Sequence, residues 1–386
     1  MDECKGLESN SSIRNRLTVV DTHRVPTLGT RKPDLVFIPN GSHLDMLNAV
    51  VIGEVKKRTG ENFGHANIGQ AVSFGEKTLQ LQPRRSFVYV VLTDCLIINI
   101  YRVTRVDRNN NHTQFKYDHV APQNLGYGSP VSKPSNGWKY LVTILESSPE
   151  ELGWVEPTLK FDNETIKLVR SVGVGRTSVV YKGTLSSNNV SVAVKMAKKA
   201  DYLSCFEREK NVLEELSSLN SLHIPKILFS NDNTLVMTPF CEKINNLQKK
   251  DIRDIIITLQ NVHGRGIIHR DLRKFNFLRN LGDLDKNILI VDWGYSTNNS
   301  ESTSSFAGAL ECMPDYVLQS LISDEEITYE PRIDLICFVR SFYLMLHRPS
   351  LDRIPFDKAD DIKQRAGMLL NFWGDCGQSD VWDNIL

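Results

Sequence analysis

Short apolar stretches separated by polar segments predict a small sheet in the N-terminal third of the chain. Residues 65–79 are expected to form a helix that carries Gln70 and Phe74. A turn at Thr93-Asp94-Cys95 joins the last two predicted strands. We therefore expect a small α/β domain over residues 1–120. Its strands are predicted at 35–38, 50–56, 86–92 and 96–103.

The later part of the chain shows a second strand-rich stretch, followed by a mainly helical one. Two alternating stretches flank a glycine-containing tip and predict a hairpin, while the run before Asp292 is apolar throughout and indicates a strand buried on both faces. Strands are predicted at 166–174, 179–183, 234–237 and 287–291. Helices are predicted at 206–216, 251–266 and 360–372.

A segment of linker composition lies between these two parts. Residues 121–137 are rich in Pro, Gly, Ser and Asn, and residues 148–158 contain two prolines and several acidic residues. A short helix is expected between them, at 138–147. The predicted organisation is a domain over 1–120, a linker over 121–162 and a second domain over 163–386, which suits the length of 386 residues.

Composition places the chain among globular proteins with enough apolar residues for two cores. It is 41% hydrophobic and 24% charged. Residues 1–160 contain 19 Lys and Arg against 16 Asp and Glu, and the remainder contains 27 against 30, so neither part shows the basic excess typical of tight nucleic-acid binding. Seven scattered cysteines without a CxxC motif indicate reduced thiols. With no run of transmembrane length and no signal-peptide pattern at the N-terminus, we expect an intracellular protein that does not bind membranes.

Three short motifs with phosphoryl-transfer chemistry follow one another in the second predicted domain. Such a site needs a cation for the nucleotide phosphates, a carboxylate for the hydroxyl proton and oxygen ligands for a metal. A glycine-containing hairpin tip upstream offers backbone N–H groups to phosphate. The motifs are Val192-Ala193-Val194-Lys195, His269-Arg270-Asp271 with Asn276 five positions later, and Asp292-Trp293-Gly294.

The order and spacing of these motifs resemble the eukaryotic protein kinase family. The hairpin tip at 173–180 matches the family's phosphate loop G-x-G-x-x-G-x-V, except that Ser178 replaces the third glycine. The resemblance implies an α+β fold with a β-rich small lobe over 163–238 and a helical large lobe over 241–386. It also implies ATP and Mg²⁺ as cofactors and a protein as the substrate.

The same resemblance implies the catalytic and metal-binding residues. Asp271 would receive the proton of the substrate hydroxyl, and Asn276 and Asp292 would hold Mg²⁺. Arg273 stands where most serine/threonine kinases have lysine; it keeps the positive charge without the compact geometry of an ammonium group. This substitution weakens any assignment to serine/threonine rather than tyrosine substrates, although we favour the former.

Nucleotide-binding residues are implied in the same way. Lys195 would contact the phosphates and needs a counter-charge, for which Glu209 fits the helical register best and Glu207 is the alternative. The predicted nucleotide-binding set is Gly173, Val174, Gly175, Val180, Ala193, Lys195, Glu209 and Met237.

Three weaker resemblances lie further along the chain. The run 313–315 occupies the place of the family's APE motif, and Asp334 resembles the aspartate that opens the long buried helix of the large lobe. The polar stretch 295–305 contains seven serines and threonines, as expected for an activation segment.

The N-terminal domain carries a second group of candidate residues. Glu54 and Lys56 project from the same face of a strand because side chains alternate, and Asp34 opens a neighbouring strand. The two carboxylates would hold Mg²⁺ near a phosphate and Lys56 would orient water; a simple salt-bridged pair is the alternative. With Gln70 on the following helix, this pattern resembles the PD-(D/E)xK restriction-endonuclease-like fold.

Three classes of function remain open. The leading hypothesis is a protein kinase that transfers the γ-phosphate of ATP to a protein hydroxyl. The alternatives are a Mg²⁺-dependent nuclease regulated by a kinase-like or pseudokinase domain, in which nucleic acid would bind at the N-terminal domain, and a scaffold without turnover. The combination of domains resembles kinase-bearing Crinkler-type effectors of fungi and oomycetes, which act inside host cells.

Overall fold

The fold was taken from a computed structural model. It describes residues 16–29, 31–58, 62–82, 84–106, 114–126, 135–298, 306–354 and 361–377. The chain divides into two compact units, and each is described by itself. The first unit comprises Met1–Val190 and Met196–Asp201, and the second comprises Ser191–Lys195 and Tyr202–Leu386. The limits predicted at residues 120 and 162 stay predictions.

A six-stranded sheet forms the first part of the first unit. Its strands follow the chain order β1-β2-β3-β4-β5-β6. Neighbouring strands are antiparallel except β3 and β4, which run parallel and are joined through the helix α1 (His65–Leu81). The four predicted strands and the predicted helix are present with ends within three residues of the predicted ones, whereas β1 and β6 were not predicted. The strands are β1 Leu17–Asp21, β2 Leu35–Pro39, β3 Val51–Val55, β4 Phe87–Thr93, β5 Ile97–Val106 and β6 Gln114–Asn124.

Helices cover both faces of this sheet. On one face α1 buries Phe74 and Leu79, and its Gly75 lies so close to the sheet that a Cβ there would come within 2.7 Å of the Val103 side chain and 2.9 Å of the Val90 side chain. On the other face, the helix α2 (Asn136–Glu146) packs Ile144 into a core with residues of the central strands. This core contains Leu17, Phe37, Val50, Val51, Val91, Ile98, Ile100 and Leu125.

The first unit continues with three antiparallel strands, β7 (Thr158–Phe161), β8 (Glu164–Val174) and β9 (Ser178–Leu185). Strands β8 and β9 form the predicted hairpin and pair from Ile166 opposite Leu185 to Val174 opposite Val179. The register shifts twice on the β8 side, so the hairpin is irregular just before its tip.

One guanidinium group ties separate segments of the first unit together. Arg85 is 1% exposed, and its five N–H groups donate to the main-chain oxygens of Phe87, Ala49, Val50 and Leu152 and to the side chain of Gln82. Burial lowers the pKa of Arg85, but this planar arrangement of donors matches every acceptor around it.

We expect Arg85→Lys to destabilise the protein strongly. A lysine offers three donors instead of five and cannot reach acceptors on several sides. The free energy of unfolding should fall by about 2–4 kcal/mol, because buried carbonyl groups lose their partners. Urea denaturation monitored by circular dichroism measures the loss. Arg84→Lys, at the neighbouring exposed arginine, is the matched control, and an equal loss in both variants would contradict this role of Arg85.

The second unit begins with a strand-rich part. Residues Ser191–Lys195 of strand β10 (Ser191–Ala197) are followed by the helix α3 (Leu203–Leu216) and by β11 and β12; β12 pairs with β10, and β11 pairs with β12. Strand β11 is Lys226–Asn231 and β12 is Thr234–Thr238. The strand predicted at 234–237 and the helix predicted at 206–216 are therefore observed.

The remainder of the second unit is mainly helical. The helix α4 (Lys249–His263) buries Ile255, Leu259 and Val262, which belong to the predicted apolar stripe. Short strands form two small sheets, β13-β15-β16 and β14-β17. The strands are β13 Glu242–Lys243, β14 Ile267–Ile268, β15 Phe277–Arg279, β16 Ile288–Ile290 and β17 Thr297–Asn298. The helices are α5 Asp315–Ser323, α6 Arg332–Leu346, α7 Arg348–Arg353 and α8 Ile362–Cys376.

These elements bear out a mixed α/β composition, with strands concentrated before residue 240 and helices after it. Within the described ranges, no helix is both long enough and apolar enough to cross a membrane.

Candidate active site

A buried lysine in the second unit joins two carboxylates. The Nζ atom of Lys195 lies 2.5 Å from Oε2 of Glu209 and 2.6 Å from Oδ1 of Asp292. Strand β10 supplies Lys195 and helix α3 supplies Glu209, which is 2% exposed, whereas Glu207 on the same helix is exposed. The structure thus brings Lys195 together with Glu209 and not with the alternative Glu207.

Charges in this group are strongly coupled. Burial opposes the charge of Lys195, but Asp292 and Glu209 outweigh it and raise the pKa of the lysine. Burial raises the pKa of Glu209, while Lys195 counteracts that effect. For Asp292, burial is likewise offset by Lys195, and its pKa is lowered. Two carboxylates around one ammonium leave an excess of negative charge, which suits a divalent cation.

The backbone around Asp292 aims its carboxylate at Lys195. Asp292 follows strand β16 and has φ 70° and ψ 62°, a left-handed conformation that costs energy for a residue other than glycine. The main-chain N–H of the next residue, Trp293, helps to counteract the rise in the pKa of Glu209. A Cβ on Gly294 would lie 3.1 Å from the main-chain oxygen of Cys205 in α3, so glycine permits this close approach.

Trp293 anchors this turn in the core. Its side chain is fully buried, and its Nε1–H donates to the main-chain oxygen of Ile290 at 3.0 Å. The ring of His269 packs against it edge to face, with centroids 4.5 Å apart. Trp293 therefore links the Asp292 turn to the His269-Arg270-Asp271 loop.

Asp271 is buried, with one carboxylate oxygen that lacks a donor. Nδ2 of Asn276 donates to its main-chain oxygen at 2.7 Å and to Oδ2 at 2.9 Å. Among the described residues Oδ1 accepts no hydrogen bond; its neighbouring charge is Nε of Arg273 at 3.4 Å. Burial raises the pKa of Asp271 to about 7, although Arg273 partly lowers it. An unbonded oxygen with this pKa is well suited to accept a proton near neutral pH.

A second buried aspartate holds this loop. Asp334, at the start of α6, is fully buried; its Oδ2 accepts from the N–H of His269 and its Oδ1 from the N–H of Arg270, both at 2.8 Å. His263 Nε2 lies 2.9 Å from Oδ2. Arg270 has φ 67°, so these two bonds maintain a conformation that is unfavourable by itself. Asp334 thus positions the backbone that carries Asp271.

Asn276 and Asp292 provide oxygen atoms that fit a hard divalent cation. The amide nitrogen of Asn276 is committed to Asp271, which leaves its amide oxygen for a metal, and the Asp292 side chain is 33% exposed. No group of three or more His, Cys, Asp or Glu side chains is arranged for a metal in the part of the chain that is described. Mg²⁺ would draw its remaining ligands from nucleotide phosphates and water, as it usually does.

The other predicted nucleotide-binding residues lie as follows. In the second unit, Ala193 is half-buried on β10 and Met237 is buried near the end of β12. In the first unit, the hairpin tip is closed by the N–H of Gly175, which donates to the main-chain oxygen of Ser178 at 2.9 Å. A Cβ on Gly175 would meet its nearest atom at 3.7 Å, so packing inside the protein does not require glycine there. Gly173, Val174 and Val180 lie on the paired ends of the same hairpin.

Several partners in this site were not predicted from the sequence. Glu311 lies 3.5 Å from Arg273, and the pair is separated by 38 positions, so no local pattern marks it. Asp315 pairs with Arg340 at 2.5 Å; its place in the degraded APE motif was the one available signal. Of the predicted activation segment, residues 299–305 lie outside the described ranges, while Ser296 and Thr297 are buried.

The N-terminal candidates converge in the first unit, except one. Glu54 is 1% exposed, with Oε1 2.7 Å from Nζ of Lys56 and Oε2 accepting the N–H of Asp34 at 3.2 Å. Oδ2 of Asp34 accepts the N–H of Val55 at 2.8 Å. Burial raises the pKa of Glu54. Gln70 is exposed on α1, and no hydrogen bond joins its side chain to this trio within the described residues.

Comparison with known proteins identifies the class to which this site belongs. The profile of the protein kinase domain matches residues 166–361, more than half of the chain, and residues 1–85 match a domain of unknown function (DUF6826). The chain belongs to the protein kinase family.

Individual relatives are also protein kinases. A probable serine/threonine-protein kinase of Clostridium acetobutylicum is 25% identical over 50% of this chain and 30% of its own length. A probable serine/threonine-protein kinase of Encephalitozoon cuniculi is 26% identical over 47% of this chain and 36% of its own length. Serine/threonine-protein kinase D of Synechocystis is 32% identical over 34% of this chain and 29% of its own length. The chain therefore spans about a third of the length of these relatives.

Proposed function

We propose that this chain is an ATP-dependent protein kinase that transfers the γ-phosphate of ATP to a protein hydroxyl, with serine or threonine favoured over tyrosine. The observation that carries the proposal is the Lys195 ammonium bonded to both Glu209 and Asp292, in the same unit as the Asp271 and Asn276 pair. Two of the relatives are probable serine/threonine-protein kinases, which supports the preferred acceptor.

Each polar residue has a defined task in this proposal. Lys195 orients the nucleotide phosphates, and Glu209 keeps the direction of its ammonium group. Asp271 positions the substrate hydroxyl and accepts its proton at Oδ1, while Arg273, 3.4 Å from that oxygen, would stabilise negative charge on the transferred phosphoryl group. Mg²⁺, held by Asn276 and Asp292, would neutralise charge on the phosphates.

The glycine-containing hairpin supports the same function from the first unit. Its glycines at 173 and 175 meet no atom closer than 3.7 Å at the position of a Cβ, so the fold itself tolerates a larger residue. Approach of a phosphate group to the backbone explains a preference for glycine at these positions. Gly173, Gly175 and the flanking valines are therefore proposed to contact ATP.

A transfer assay tests this proposal. We expect the purified chain with γ-labelled ATP and Mg²⁺ to label protein or peptide substrates, and EDTA to abolish the labelling because phosphoryl transfer needs the metal charge. Phosphoamino acid analysis should show phosphoserine or phosphothreonine. An absence of label with all substrates, together with an absence of nucleotide binding, would refute the proposal; label on tyrosine alone would refute the acceptor preference.

The second candidate function is Mg²⁺-dependent cleavage of nucleic acid at the N-terminal domain. It is favoured by the convergence of Asp34, Glu54 and Lys56, as expected for the PD-(D/E)xK resemblance. However, both Glu54 oxygens already accept internal donors, which fits a structural ion pair equally well. DNA cleavage that is lost in Glu54→Gln but kept in Asp271→Asn would support it. Three further predictions also stay proposals. They are the domain limits at residues 120 and 162, an intracellular location, and an architecture similar to that of Crinkler-type effectors.

A further inference from the structure

Two polar contacts hold the base of the glycine-containing hairpin within the first unit. Ser171 on β8 and Tyr181 on β9 are cross-strand neighbours, and each bonds to a residue of the N-terminal part. Ser171 contacts Asp45, which lies before β3, and the Tyr181 hydroxyl donates to the main-chain oxygen of Leu81 at the end of α1. We name the four residues Asp45, Leu81, Ser171 and Tyr181 the hairpin clamp.

The contact at Ser171 is made by a half-buried carboxylate. Oδ2 of Asp45 accepts from both the N–H and the Oγ–H of Ser171 at 3.2 Å, and Oδ1 accepts from the N–H of Leu47 at 2.9 Å. Hydrogen bonds to an ionised acceptor are stronger than neutral ones. Ser171 lies two residues before Gly173, the first residue of the phosphate loop. The hydrogen bond from its backbone N–H to Asp45 is therefore made just before the loop begins.

The contact at Tyr181 is fully buried. The Tyr181 side chain is inaccessible to solvent, and burial raises the pKa of its hydroxyl, which therefore stays protonated as a donor. Tyr181 directly follows Val180, the last residue of the predicted phosphate loop. The clamp consequently acts on both strands at the same register position, immediately outside residues 173–180.

The clamp lies where the hairpin itself is least regular. The β8 register shifts between Ser171 and Gly173, so the strand ladder alone does not fix the direction of the tip. A separate hydrogen bond holds the tip itself: the N–H of Lys198 donates to the main-chain oxygen of Thr177 at 3.0 Å. The clamp at the base therefore determines how the two strands enter the loop.

We infer that Asp45, Ser171 and Tyr181 are positioning residues for nucleotide binding, through which the N-terminal part of the chain sets the conformation of the phosphate loop. This inference rests on the proposed kinase function. A preorganised loop binds phosphate without first losing conformational freedom, so a loosened base should weaken ATP binding more than it slows the transfer step.

Hydrogen exchange and steady-state kinetics of the full chain test the inference. In Ser171→Ala and Tyr181→Phe, amide exchange over residues 173–180 should accelerate about threefold to tenfold, as expected for the loss of one buried hydrogen bond. The KM for ATP should rise by about the same factor, with kcat within about twofold of the wild type. Ser171→Thr keeps the hydroxyl and should restore both values.

Thr22→Val is the matched control for Tyr181→Phe. Thr22 is fully buried directly after β1, whose sheet does not include the hairpin strands, and its hydroxyl also donates to a main-chain oxygen, that of Pro33 at 2.6 Å. It should leave exchange over 173–180 and the KM for ATP unchanged. Equal changes in this control and in the clamp variants would mean general destabilisation and would overturn the inference.

The two measurements separate this inference from the proposed function. If the clamp variants show accelerated amide exchange over residues 173–180 but the wild-type protein neither binds ATP nor transfers phosphate, the kinase function is refuted. The structural role of the clamp would still be supported. Unchanged exchange in both clamp variants of an active kinase would refute the clamp. Accelerated exchange with an unchanged KM for ATP would refute its role in nucleotide binding.

Discussion

Asp292→Asn is expected to lower kcat/KM for phosphoryl transfer by at least about 10³-fold, because fixed charge in the site is normally the largest contribution to catalysis. Asparagine has almost the same shape as aspartate and still presents an oxygen to Lys195, which also keeps Glu209 as a partner. The variant therefore removes a charge and leaves the packing intact. Steady-state kinetics at increasing Mg²⁺ measure the loss, and excess metal should not restore the rate.

Asp285→Asn is a suitable control for this variant. Asp285 is exposed in the turn before β16, and its substitution removes the same charge from the same segment of the chain. It should leave kcat/KM unchanged. If Asp292→Asn retained activity within about tenfold of the wild type, Asp292 would not be the metal-binding residue that phosphoryl transfer depends on.

Asp271→Asn is expected to reduce kcat by about 10²- to 10⁴-fold, the usual range for the loss of a general base. The amide has no basic oxygen, so the hydroxyl proton must go to solvent. Asn276 can still donate to the side-chain oxygen at position 271, which keeps the loop together. A residual rate above a tenth of the wild-type value would contradict the role of Asp271 as base.

The pH dependence of the wild type follows from the same residue. Asp271 must be ionised to accept a proton, and its pKa is about 7, so kcat/KM should rise with pH and level off above about 7. Because Arg273 lowers the pKa of Asp271, Arg273→Ala should move this limb to higher pH. A profile that is flat between pH 5.5 and 8.5, or a limb that moves to lower pH in Arg273→Ala, would contradict the assignment; these limits are chosen to span about 1.5 pH units on either side of the pKa.

The free energy of unfolding should fall as pH rises because of Asp271, whereas kcat/KM rises over the same range. The folded state binds the proton of Asp271 more tightly than the unfolded chain does, since burial raises the pKa from its ordinary value of 3.8. Ionisation therefore costs stability as pH rises through the interval between 3.8 and about 7. Asp271→Asn should become more stable than the wild type across this interval, and urea titrations at pH 5 and pH 8 would show the difference widening.

Local patterns predicted most of the elements and the partner of Lys195. Helix α1 and the four predicted strands of the first sheet lie within three residues of their predicted limits, because hydrophobic periodicity reflects which face each element buries. Strands β1 and β6 of this sheet were not predicted. Glu209 is favoured over Glu207 because its helical register matches the pattern of the protein kinase family, and the structure places Glu209 against Lys195. The motifs of the site are also local, so their order in the sequence predicts the chemistry of the site through the same resemblance.

Contacts between distant segments could not be predicted in this way. Asp45 and Ser171 are 126 positions apart, and the acceptors of Arg85 are mostly main-chain oxygens, which every residue possesses. Neither the pairing of Arg273 with Glu311 nor the support of His269 and Arg270 by Asp334 follows from periodicity. Such contacts depend on how elements pack, and a single sequence carries no local signal of that packing.

The hairpin clamp has a consequence for the evolution of the chain. Tyr181 bonds to a main-chain oxygen, so residue 81 can change its side chain without losing this contact. The hydroxyl bond of Ser171 depends on the carboxylate of Asp45, so loss of the hydroxyl at position 171 or of the carboxylate at position 45 removes that bond. Among homologues that contain the N-terminal region, residues 45 and 171 should therefore covary, whereas residue 81 should vary among apolar types. Kinases that lack this region should show no such correlation.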